Sequence, residues 1–242
     1  MLICSNPFKI SHLRQNDGLG SKLAPRSREE LCDRFKTPAM SRDTTELAVL
    51  DWRRELPTLV GRLVTVRELT PQDLGPLIDL FSIIDTGRFG LDEPVSDVDV
   101  RAFIDRAIRD RSAGLSFTYA VVQNGTRAVI GLTQVRQLEP SFETAECEGT
   151  LAPSVRGTGV FLEAARLVGS FLFGTVGARR VEVRVLLQNG RANGALRKLG
   201  AVQEGILRRS VRRRGEYLDQ ALWSLLKDDW GDQWVSTTPR VH

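Results

Sequence analysis

Histidine is almost missing from this chain of 242 residues: there are two, His12 and His242, each in a stretch without periodic apolar pattern. Ser-His-Asp and Cys-His machinery need an imidazole beside the nucleophile, and most zinc sites need one as ligand, so neither chemistry is expected. Cysteine is scarce too. Cys4, Cys32 and Cys147 are odd in number and far apart, which gives no disulfide framework and no CxxC metal spacing, and fits a reducing cytoplasm. Nowhere do about 18 apolar residues follow one another, so no membrane span is expected. The apolar run in "MLICSNPFKI" is too short for a signal peptide. A net charge of only +4 does not by itself argue for a nucleic-acid partner. What remains for chemistry is carboxylates, tyrosines, backbone dipoles and a bound cofactor; no metal is expected.

What is present is a chain 41% hydrophobic and 26% charged, enough for one large domain and an appendage. Residues 1–40 mix Gly, Pro, Ser and charges without period, as in "NDGLGSKLAPRSREE", and read as a loose extension, with Met40 a second candidate start. Residues 41–60 read as a lead-in with a short helix over 44–52 ended by Pro57. The main domain spans 61–230, and 231–242 form a tail.

Within that domain "GRLVTVREL" (61–69) alternates like a strand, and "TPQDLGPLIDLFSII" follows as a helix with Thr70 as cap and Pro71 at its first position. Residues 96–114 place Val100, Phe103, Ile104, Ala107 and Ile108 on one helix face. Two antiparallel strands then flank Asn124-Gly125, a pair suited to a tight turn. "ETAECEGTLA" (143–152) is a strand with Ala145, Cys147, Gly149 and Leu151 on one face and Glu146, Glu148 and Thr150 on the other. A loop and helix, a strand over 179–187, a short helix stopped by Gly200 and a final strand in "YLDQALWSLL" complete a mixed α/β sheet with helices packed on it.

The loop "SVRGTGVFLEAA" (154–165) puts Gly157 and Gly159 before an amphipathic helix. Glycines let backbone N–H groups crowd an anion, the helix adds its positive end, and Arg156 offers a charge-assisted contact, so phosphate is a natural guest. A plain strand-to-helix link explains the same glycines. The chain has no GxxxxGK[ST], and Leu162 replaces the third glycine of a dinucleotide fingerprint.

"RGTGVFLEA" resembles the pyrophosphate-binding loop of the GNAT superfamily of N-acetyltransferases, with Phe161 where the pattern has a small residue. "LVTVRELTPQD", Glu163-Ala164, "NGRANGALRKLGAVQEGILR" and "GEYLDQALWSLLKDDW" resemble, in order, the first strand and helix, the helix start after the loop, the Asn-x-x-Ser…Lys-Leu-Gly segment and the closing strand of the branch containing the RimJ and RimL ribosomal-protein acetyltransferases. The resemblance covers roughly 61–230. It implies a mostly antiparallel central sheet with helices on both faces and a splay between the two middle strands. It implies acetyl-CoA as co-substrate, its pyrophosphate on Arg156, Gly157, Thr158, Gly159, Val160 and Phe161, and its pantetheine in the splay beside Leu151 and Asn189. The family Ser near the CoA sulfur is Ala192 here, leaving Asn193 or Tyr217 as substitutes.

An amine must lose a proton before attacking a thioester, and a carboxylate can take it. Glu148 is the first candidate base and Glu146 the second; pairing with Arg136, Arg180 or Arg184 is the competing explanation for Glu148. Tyr217 is either a packed strand aromatic or a catalytic acid. "RRSVRRRG" (208–215) reads first as a solvated hairpin edge, with RNA, an acidic substrate or the CoA 3′-phosphate as alternatives. Asp219 is a recurrent family residue or a turn partner of Arg213 or Arg214, and Trp223 and Trp230 are packing residues. The resulting expectation is direct acetyl transfer to a primary amine, with a protein N-terminus as first acceptor, by a monomer or homodimer. The alternative is a non-catalytic acyl-CoA-binding or RNA-binding module.

Overall fold

A computed structural model of the chain describes residues 2–3, 51–85 and 95–234. Its strands are β1 (Leu2–Ile3), β2 (Leu59–Val60), β3 (Val64–Glu68), β4 (Ser116–Gln123), β5 (Val129–Gln137), β6 (Thr144–Leu151), β7 (Arg180–Leu186), β8 (Val202–Arg213) and β9 (Glu216–Leu226). The helices are α1 (Leu74–Asp85), α2 (Asp97–Ser112), α3 (Val160–Phe171), α4 (Gly190–Lys198) and α5 (Lys227–Trp234). One sheet runs β2-β3-β4-β5-β6-β7-β9-β8, with β1 added on β6.

All neighbours are antiparallel except β6 and β7, which the crossover through α3 makes parallel. That pairing is short: Thr144, Ala145 and Glu146 face Arg180, Val181 and Glu182, and there it stops. The remainder of both strands diverges, which is the splay expected from the resemblance. Leu2 and Ile3 pair with Thr150 and Gly149 on the β6 edge so released.

Helix starts follow the sequence closely. Asp73 accepts hydrogen bonds from the Thr70 N–H (2.9 Å) and hydroxyl (3.0 Å), so a short 3₁₀ turn over Pro71–Asp73 leads into α1. Arg67 closes on the same carboxylate with two bonds of 2.8 and 2.6 Å. Ser96 caps α2, with Asp99 reaching back to its N–H at 3.0 Å.

Two local expectations are corrected, and a third falls mostly outside the described residues. Asn124-Gly125 does not form a two-residue turn: residues 124–128 join β4 to β5, with the Arg127 N–H donating to Gln123 O (3.0 Å). The Asn124 side chain is recruited elsewhere, donating to Gly61 O and Arg62 O and accepting from the Thr65 hydroxyl. The closing strand ends at Leu226, and "KDDW" begins α5. The helix expected over 44–52 lies outside the described residues up to 50, and Trp52–Arg54 form a turn.

Trp52 belongs to the core. Its ring meets Phe117 at 5.4 Å and Phe142 at 5.2 Å, while Phe117 and Tyr119 both pack edge-on against Phe171 of α3. Strand β4 is buried along Ser116–Val122, on both faces, because α3 covers one and α2 packs on the strand as well. Trp230 lies against Gly169 of α3, so α5 closes the α3 side.

Candidate active site

Strand β6 leads into the site. Its register with β5 sets Glu146 opposite Arg136 and Glu148 opposite Gln134, so these four side chains share one face. Glu146 is 1% exposed and ion-paired to Arg136 and to Arg184 (3.4 Å). The row continues across the sheet: Arg184 to Glu182 (3.6 Å), Arg180 to Glu182 (3.0 Å), and Arg180 to Glu204 (2.5 Å). Arg136, Arg184 and Arg180 thus close on Glu146, Glu182 and Glu204. A buried carboxylate held by two guanidiniums is costly to unpair, which makes Glu146 an anchor of this face.

Glu148 comes one alternation later, where β6 has already parted from β7. It lines a cavity between the splay and the underside of α3, walled mostly by apolar groups such as Leu132, Val168, Val183 and Leu196. Thr150 lines the same cavity, and its buried hydroxyl has no hydrogen-bond partner among the described residues. Its type and alternation were readable in the sequence; its isolation was not. Cys147 also faces this space, and burial, reinforced by Glu148 and Glu146, pushes its thiol up to about 12.

Beyond Leu151 the chain makes a 3₁₀ turn over Pro153–Val155 and then the glycine loop. Gly157 (φ +81°) and Gly159 (φ +88°) both take the left-handed conformation that side chains disfavour, and Gly159 is the N-cap of α3. A Cβ at Gly157 would meet nothing within 4 Å, so its glycine is required by backbone conformation. The Thr158 hydroxyl donates to Val155 O at 2.7 Å and pins the turn. Val160, the first residue of α3, is buried.

A second cleft, of about 410 Å³, opens in front of this loop, lined by Arg156, Gly157 and Gly159 on one side and by Gly190, Arg191, Ala195 and Lys198 of α4 on the other. Arg191 and Lys198 escaped the sequence reading, although both lie within the α4 segment that carried the resemblance. Leu151 and Phe161 line both spaces, so the cationic cleft and the splay cavity meet at these two side chains.

Asn189 and Asn193 are committed to the fold. The Asn189 side chain accepts from the Ala192 N–H (3.2 Å) and caps α4. Asn193 donates to Leu186 O and Asn189 O and accepts from the Trp223 indole at 2.8 Å. Tyr217 lies on the part of β9 that pairs with β8 alone, beyond Gln220, where pairing with β7 ends. The strand pairings therefore do not bring it to Glu148. Asp219 accepts from the backbone N–H of Arg209 at 2.7 Å, which is neither of the guanidinium pairings expected for it.

A split strand pair running into a glycine loop at a helix N-terminus, with cations facing it, is an architecture for holding an extended, phosphate-bearing donor. The sequence profile described as "Acetyltransferase (GNAT) domain" matches residues 63–202, and the chain belongs to this family. It is 24% identical over 176 residues to "Uncharacterized N-acetyltransferase p20" of Bacillus licheniformis, covering 72% of this chain and 99% of that protein. It is 25% identical over 177 residues to "Putative ribosomal N-acetyltransferase YdaF" of Bacillus subtilis, covering 71% and 95%. The fold matches that of a ribosomal-protein-S5-alanine acetyltransferase from Vibrio fischeri with a TM-score of 0.65 at 18% identity, covering 72% of this chain and 98% of that one. The chain is an acetylating enzyme, and enzymes of this family use acetyl-CoA as co-substrate and bind an amine acceptor. Among the described residues, no helix is long and apolar enough to cross a membrane.

Proposed function

We propose that this enzyme acts in the cytoplasm and transfers acetyl to a primary amine, with a protein N-terminus as acceptor class, by direct attack in a ternary complex. The reading places it in the RimJ/RimL-like branch, which the printed name of the YdaF relative supports. The observation that carries it is the continuity of β6: Glu148 sits at the mouth of the splay, and three residues beyond it the strand ends and leads into the glycine loop capping α3.

The chain's groups fit acetyl-CoA. Backbone N–H groups over 157–161, Arg156 and the α4 side chains Arg191 and Lys198 supply donors and positive charge for its phosphates. The diverging edge of β6, where Leu2 and Ile3 pair in this structure, offers backbone groups for its amide-bearing arm once β1 gives way, with Leu151 and Phe161 at the passage between cleft and cavity. Bound acetyl-CoA supplies an activated acyl carbon. Glu148 takes the ammonium proton from the acceptor, directly or through one water. Backbone N–H groups of β6 stabilise the developing oxyanion. Ala192 has no polar side chain, and the Thr150 hydroxyl takes over the hydrogen bond to the departing sulfur. Cys147, its thiol held far above neutral, is a poor nucleophile, which favours direct attack over a covalent relay.

Acetyl-CoA at ~100 times its dissociation constant should stabilise the protein by ~2.7 kcal/mol, and Gly159→Glu should abolish that shift. Free CoA should then appear only when a peptide amine is added. Binding without any release across amines and peptides would replace this reading with a non-catalytic acyl-CoA module. A wild-type protein without any shift would overturn the cofactor site itself.

A further inference from the structure

The hairpin formed by β8 and β9 projects past the strands that build the active site. Between 207 and 219 it carries five arginines against two carboxylates, Glu216 and Asp219. Asp219 is already occupied. Leu207 is paired with Gln220 and Val211 with Leu218, so Arg208, Arg209 and Ser210 together stand opposite Asp219 alone. This bulge is pinned by the Asp219 carboxylate on the Arg209 N–H (2.7 Å) and by the Ser210 hydroxyl on Gln220 (2.9 Å), and Arg209 has φ +49°. A strained, doubly anchored bulge presents Arg208 and Arg209 to solvent. Arg212 is exposed as well, and among the described residues none of these three forms an ion pair.

Arg212 is the cross-strand partner of Tyr217, so both side chains stand on one face of the ribbon. Tyr217 is 63% exposed. An edge hairpin meant only to stay soluble needs charge but gains nothing from a solvent-facing aromatic ring. Guanidiniums spaced along a ribbon with an open π-face between them match a chain that alternates phosphates and flat bases. An acidic peptide would use the arginines and leave Tyr217 without a role. A duplex would hide the base faces that the ring could stack on.

We infer that the β8–β9 hairpin is a binding surface for single-stranded nucleic acid, with Arg208, Arg209 and Arg212 on phosphates and Tyr217 stacked on a base. None of these four residues lines the cleft of Arg156, Arg191 and Lys198 that takes the cofactor in the function proposed above.

The test is fluorescence anisotropy of the full chain with labelled 12-nucleotide single strands of RNA and of DNA, from 25 to about 300 mM salt. Three phosphate contacts give a log-log slope near −2, and Arg208→Gln with Arg212→Gln should flatten it by about 1.4. Tyr217→Ala should weaken binding about ten-fold with the slope unchanged. Unaltered melting temperatures confirm that the variants fold. Preference for one sugar identifies the source as RNA or DNA. Absence of binding at 25 mM salt would overturn the inference, as would indifference to these variants. So would displacement of the strand by saturating CoA, or equal affinity for a poly-glutamate peptide.

Discussion

The carboxylate of Glu163, in the first turn of α3, accepts the backbone N–H of Leu63 at 2.6 Å, and with its two oxygens it also takes those of Arg62 (2.9 Å) and Val64 (3.0 Å). One side chain thus fixes the helix that begins at the glycine loop to the turn between β2 and β3. The Glu-Ala that follows the loop in sequence has a mechanical reason: its carboxylate holds in place the helix that begins beside the cleft of Arg156, Arg191 and Lys198.

Replacing Glu163 by Ala strands three backbone donors and should cost about 2–4 kcal/mol in chemical denaturation. Glu163→Gln keeps one acceptor and should cost about half as much. Acetyl-CoA affinity should fall with the Ala variant even at temperatures where it is fully folded. A variant as stable as wild type would show that the clamp contributes nothing to the fold.

Glu148→Gln should leave the acetyl-CoA thermal shift intact while lowering kcat/KM by on the order of 10² to 10⁴. Part of the loss should return at high pH, where the amine deprotonates unaided. A fall in melting temperature together with activity would instead identify Glu148 as a structural partner. Glu146→Gln should behave in the opposite way, losing stability first, because it unpairs Arg136 and Arg184 in a buried setting.

Cys147, pushed up to about 12, should be alkylated by iodoacetamide at pH 8 on the order of 10³ times more slowly than a free thiol. Peptide mapping of the reacted protein separates it from the other two cysteines. Urea should restore ordinary reactivity. Rapid labelling of the native protein would mean that the splay cavity is open to solvent at this strand.

Acid should weaken the sheet through Glu204. Hydrogen bonds from Arg180 and Ser224 outweigh burial and hold its carboxyl down at about 2, below the ordinary carboxylate range. A depressed folded value contributes stability that is present above the unfolded pKa and lost as pH falls through the folded one. Asp73 shifts in the same direction, its burial being outweighed by Arg67 and Thr70. Melting temperature should therefore decline between about pH 4.5 and 2. Glu204→Gln should be less stable than wild type at neutral pH, with the two curves converging near pH 2.

The sequence made the order of elements and the glycine loop legible because both depend on local rules. Alternation in 143–152 assigned Glu146 and Glu148 to one face, and caps such as Thr70 and Ser96 marked helix starts. What it concealed depends on tertiary register. That Glu146 receives Arg136 and Arg184 is decided by the pairing of β5 with β6 and of β6 with β7, which no local pattern reveals. Arg191 and Lys198 were in view as helix residues, and only the packing of α4 opposite the loop turns them toward one cleft. Asn124 looked like a turn residue and became a tether, because Gly61 and Arg62 offer it carbonyls that a local reading could not place nearby.

A sheet normally ends at its outer strands, where unpaired backbone groups invite other chains to add on. Here the outer edges are blunted, β2 by its two-residue length and β8 by its bulges and arginines. The β6–β7 gap is a third edge, but it is turned inward and roofed by α3. On its β6 side Leu2 and Ile3 of this same chain pair with Thr150 and Gly149, so the edge opened by the splay is covered from within and lacks the aggregation hazard of an exposed edge. The opening admits only something narrow enough to thread between two strands.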